Sequence, residues 1–110
     1  TTYGAHFLNG NGSAVSSSKY VNRNHIFLSE NMPYAGATSN TFAAHVLDIL
    51  DFSSNVKNTT VRDLGGVPAT QTHVTLSSGA YFNTDAVTSI GLNARGTYAS
   101  GSRFSLIGIK

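Results

Sequence analysis

Apolar and polar positions along this chain recur with a period of two. Residues 22–28, 45–52, 72–76, 86–92 and 103–109 are rich in Val, Ile, Leu, Phe and Thr, and clusters of Gly, Asn, Ser and Asp separate them. That pattern predicts strands joined by turns. In residues 86–92, Ser89 and Gly91 alternate with Ile90 and Leu92. In residues 103–109, Phe104 and Leu106 share one face, and Ser105 and Ile107 share the other. Asn9-Gly10-Asn11-Gly12 supplies two turn dipeptides. Leu64-Gly65-Gly66-Val67-Pro68 predicts another break, and Gly96 and Gly101 bracket a loop before the last strand.

The nearest approach to a helix is residues 41–50, where Ala43, Ala44, Leu47 and Leu50 could share a helical face. Phe42, Val46 and Ile49 spoil its polar side, so the segment reads as a central strand buried on both faces. Several short strands at this spacing predict an all-β fold, an antiparallel β-sandwich of jelly-roll type.

Length adds that residues 1–110 form one domain. There is no internal repeat and no low-complexity linker. A start at Thr1-Thr2-Tyr3 without methionine suggests a fragment or processed end, the C-terminal part of a longer protein. No apolar run approaches the roughly 20 residues that cross a bilayer, so membrane insertion is not expected. The chain has no cysteine, which rules out disulfides and thiolate metal sites.

Charge changes the picture more. Only 11% of residues are charged and the net charge is +2, where about 25% charged is usual. The surface is therefore built of Ser, Thr, Asn and Gly. Seven basic residues are scattered, whereas nucleic-acid binding needs a concentrated basic stripe. Such a surface suits an extracellular or particle-bound protein, or a subunit whose flanks are covered by neighbours.

Catalytic chemistry finds little support. There is no Gly-x-Ser-x-Gly elbow. His6, His25, His45 and His73 are isolated, with neither His-x-His nor His-x-x-x-His spacing, so no metal or other cofactor is expected. His45 with Asp48 or Asp51 is the only metal pairing worth naming. Each histidine is expected at the surface or hydrogen-bonded. Asp48 and Asp51 lie three apart and face opposite sides of a strand, so at most one meets Arg62 or Arg103, as a structural ion pair or capped turn. Gly101 before Ser102 permits a sharp turn into a strand. Gly108, between Ile107 and Ile109, would admit close approach of another backbone or bulky side chain.

Three motifs occur in order. The first is Val46-Leu47-Asp48-Ile49-Leu50-Asp51-Phe52, followed by Lys57-Asn58-Thr59-Thr60-Val61-Arg62-Asp63-Leu64-Gly65-Gly66. The second is Ser78-Gly79 with Asn83-Thr84-Asp85-Ala86-Val87-Thr88-Ser89-Ile90. The third is the ending Gly101-Ser102-Arg103-Phe104-Ser105-Leu106-Ile107-Gly108-Ile109-Lys110. Together they resemble the C-terminal β-sandwich module of bacteriophage fibre and appendage proteins, over residues 45–110. Ile107 stands where that pattern has tyrosine, and Tyr81 or Phe82 stands near its tryptophan.

The resemblance implies a non-enzymatic structural module of the virion, at the tip of a tail or head fibre. It implies homo-oligomerisation, with a trimer favoured, and contact with other virion proteins. Host-receptor or surface-glycan binding is an added role, for which Asn31, Tyr34 and Tyr98 are the candidate contacts. Alternative readings are a capsid decoration protein and a lectin- or adhesin-like carbohydrate-binding domain.

Overall fold

A computed structural model describes residues 2–28, 39–67, 73–94 and 96–109. It is all-β, with five strands: β1 (Tyr3–Gly10), β2 (Val15–Arg23), β3 (Ala44–Leu50), β4 (Thr59–Val67) and β5 (His73–Tyr81). They form one antiparallel sheet in the order β2-β1-β5-β4-β3. No helix occurs among the described residues.

Period two decides which side chains face which way. Ala5 and Phe7 on β1, Val61, Asp63 and Val67 on β4, and Thr75 and Ser77 on β5 all point to one face and are buried. Tyr20 of β2 meets Phe7 edge-on at 5.4 Å and stacks on Phe27 at 4.6 Å. The strap after β2 thus lies over this inner face, with the ring of His25 4.4 Å from that of Phe27. Among the described residues the fully buried apolar side chains are Ala5, Phe7, Val61 and Val67. Among the described residues no second sheet packs on the first.

The hairpin between β1 and β2 follows from its turn chemistry. Asn11 Oδ1 accepts from Ser13 N at 2.9 Å and Ala14 N at 2.8 Å. Gly12 takes φ +86°, where a side chain would be strained. The expected Asn-Gly turn is therefore present, and it joins two strands that the apolar pattern did not mark.

Several expectations need correction. Strand β3 lies within the expected 41–50 segment but is an edge strand of intermediate and exposed residues, not a central buried one. Only Asn22 and Arg23 of residues 22–28 are in a strand, and residues 86–92 and 103–109 form none. A strand needs a ladder of hydrogen bonds to a neighbour as well as an alternating sequence; among the described residues 86–92 makes one backbone bond of this kind, Val87 N to Phe52 O at 2.8 Å, and 103–109 makes none. Leu64-Gly65-Gly66-Val67 is no break but the end of β4, while Pro68 lies outside the described residues.

Gly65 in β4 serves packing rather than turning. A Cβ there would overlap the ring of His45 on β3, its direct cross-strand partner. The absent side chain is what lets the imidazole lie over the sheet and reach Asp63. Gly65→Ala should therefore destabilise the fold by about 1–3 kcal/mol, read as a lower urea midpoint. The effect should shrink when His45 is already alanine, a non-additivity that a double-mutant cycle measures.

Candidate assembly surface

The polar seam on the inner face comes first, because it explains the histidine the sequence left open. His45 Nδ1 lies 3.1 and 3.0 Å from the two carboxylate oxygens of Asp63. The side chains are 12% and 0% exposed. Asp63 sits opposite Ser77 on β5, and one row on, Thr75 donates its hydroxyl to Asn9 Oδ1 at 2.7 Å. The anticipated pairing of His45 with Asp48 or Asp51 does not form, because Asp48 points to the opposite face from His45. Among the described residues no polar partner reaches His45 Nε2 or either ring nitrogen of His73. The expectation that every histidine is surface or hydrogen-bonded thus fails at His73. No cluster of three or more His, Asp or Glu side chains that could hold a metal occurs among the described residues.

The outer face is different in kind. Strand registers place Val46, Leu64, Leu76 and Leu8 side by side across β3, β4, β5 and β1. Their exposures are 70, 56, 46 and 48%. The next row carries Ala44, Gly66, Val74, Gly10 and Val15, with Val74 and Val15 also exposed. On the other side runs a polar row of Asp48, Arg62, Ser78, His6 and Lys19. Strands stand about 4.8 Å apart, so the four-residue apolar row is roughly 14 Å wide and bordered by charge. Apolar patches with polar rims mark interaction surfaces.

The structure separates the residues that the sequence grouped. Arg62 Nη2 donates to Asp48 Oδ2 at 2.6 Å across β3 and β4, the anticipated ion pair. It is exposed on both sides, so it contributes within about 1 kcal/mol. Asp51 leaves the strand with φ +58° and meets Lys57 Nζ at 3.2 Å. Arg103 pairs with neither aspartate. Gly101 takes φ +94° in the turn that Ser102 N closes on Ala99 O, as its glycine implied. Tyr98 is exposed and meets Phe104 edge-on at 4.9 Å, so its ring has a packing partner as well as an open side. Phe104 and Leu106 are exposed, and a Cβ built on Gly108 faces open space rather than the expected close neighbour. Asn31 and Tyr34 lie outside the described residues.

What the sequence missed is the outer row itself. Alternation within a strand shows which side chains share a face, but rows across the sheet form only once registers align. Comparison with protein-family models, with curated proteins and with solved structures gave no match.

Proposed function

We propose that this chain is a non-enzymatic structural module of a phage particle, completed by packing against copies of itself in a fibre or appendage tip. The exposed Val46, Leu64, Leu76 and Leu8 row carries the reading. Burying apolar surface contributes about 25 cal/mol per Å², and a single sheet with four fully buried apolar side chains among its described residues leaves much of that stabilisation unmade. A second layer from another copy would supply it, turning one sheet into the packed pair that a sandwich requires. The low charge fits such burial, because each ion taken from water costs several kcal/mol. The ordered motifs from 45 to 110 support the phage setting and favour a trimer. Receptor contact falls to the loops, with Tyr98 one of several exposed aromatics among them.

The test is the mass of the isolated chain by light scattering after size exclusion near neutral pH. A stable trimer at micromolar concentration is expected. A strict monomer at high concentration would overturn the self-packing module and favour a decoration or lectin-like domain. Antibody labelling of the particle, detected by electron microscopy, checks the phage setting independently.

A further inference from the structure

Residues 103–109 have the sequence of a strand and the surroundings of none. Leu106, Ile107 and Ile109 are 83, 79 and 87% exposed, and Phe104 is also exposed. Leu106 lies on one face of this extended segment, and Ile107 and Ile109 lie on the other. Apolar residues on both faces characterise a strand covered on both sides. Among the described residues, no backbone group of this arm hydrogen-bonds to the rest of its chain. Its root is fixed. Ser102 N bonds Ala99 O, Gly101 lies against the ring of Phe42, and Phe104 packs on Tyr98.

The sheet has two open edges, β2 and β3. Strand β2 is a poor acceptor of another strand. It carries Ser16, Ser17, Ser18, Lys19, Asn22 and Arg23, its register with β1 shifts between Tyr3 and Ala5, and Asn22 has φ +56°. Polar residues, lysine and irregularity are how edges are kept from pairing. Strand β3 has no lysine and no irregularity, and its two polar residues, His45 and Asp48, are each paired with β4. Its seven residues keep unbroken register with β4, and its sequence is Ala-His-Val-Leu-Asp-Ile-Leu. Its one carboxylate is already held by Arg62.

We infer that residues 103–109 are donated to another copy of this chain, where they hydrogen-bond along the open edge of β3; this rests on the self-assembly proposed above. Donor and acceptor are both seven residues long. The arm adds apolar side chains beside Val46, at the end of the exposed row. Gly108, with open space where a Cβ would stand, leaves room for the receiving backbone. Strand addition of this kind draws affinity from main-chain hydrogen bonds and order from alternate side chains. The self-packing proposed above makes another copy the source of the partner edge.

The natural absence of cysteine allows a direct test. Full-length Val46→Cys, Ile107→Cys and the double variant are treated with a short bis-maleimide after assembly. The double variant should give covalent oligomers up to the mass of the solution assembly, well above either single variant. Leu106→Asp should lose the assembly while keeping the monomer's far-UV spectrum. An intramolecular cross-link within a monomer would mean that the arm closes its own β3, and would overturn the exchange. An assembly of unchanged mass without cross-links would overturn the arm's role and leave the self-packing face standing. A parent protein that never assembles would instead remove the reading on which the exchange rests.

Discussion

His45→Ala should lower the unfolding free energy by about 3–5 kcal/mol, the cost of leaving a buried carboxylate without its hydrogen-bonding partner. Asp63 is fully buried. His45 is the only side chain that reaches its carboxylate among the described residues. Removing the imidazole leaves the acid without a donor and opens space above Gly65, where the ring now lies. For a chain of this length the loss corresponds to roughly 4 °C of melting temperature per kcal/mol. His45→Phe separates the two contributions, since it refills the volume without restoring the donor. Urea unfolding at one fixed protein concentration is the measurement, because assembly shifts apparent stability by mass action. A change within about 0.5 kcal/mol, the size of an ordinary surface substitution, would show that the pair holds nothing together.

Leu76→Lys should release the subunits while leaving each one folded. Leu76 stands in the middle of the outer row, between Leu64 and Leu8, and is nearly half exposed in the single chain. Within one copy a lysine there stays in water, so the fold should change by no more than about 0.5 kcal/mol. Between copies it places a charge in an apolar layer. A loss of about 3 kcal/mol, modest against the several kcal/mol of burying an ion, weakens association roughly a hundredfold. Light scattering across a dilution series reads this directly, with far-UV circular dichroism as the check on folding. Arg62→Ala, on the polar row beside it, is the control and should move the dissociation midpoint little. If Leu76→Lys keeps the parent's mass at every dilution, the outer face is not where copies meet.

The two substitutions sit on opposite faces of the same sheet, and the contrast between them is informative. The inner face holds its few apolar side chains together with a hydrogen-bonded polar seam, and its loss is read as unfolding. The outer face carries an exposed apolar row beside a polar one, and loss of the apolar row is read as dissociation. A protein in which both changes simply unfolded the chain would be one whose subunits do not exist apart.

Much of the architecture was legible in the residues. Alternation in 45–52 and 72–76 marked two strands that the sheet contains, and Asn-Gly marked the first hairpin. The expectation that at most one of Asp48 and Asp51 meets Arg62 held for Asp48, whereas Asp51 turned out to lie beyond the end of β3 and to pair with Lys57. These features depend on the local chain alone, where period two and turn chemistry act directly. Strand β1, with its small residues, and the serine-rich β2 carried too little apolar signal to be marked. Strand β4 was masked by Gly65 and Gly66, which looked like a turn.

The sequence by itself determined an all-β chain with few charges and the facing of the strands it marked. Only the tertiary structure decided that β3 is an edge, that His45 belongs to Asp63, and that one face of the sheet lies open. The reason is physical: alternation sets which way a side chain points, but register and neighbour order set what it meets, and those are fixed by contacts between residues far apart in the chain.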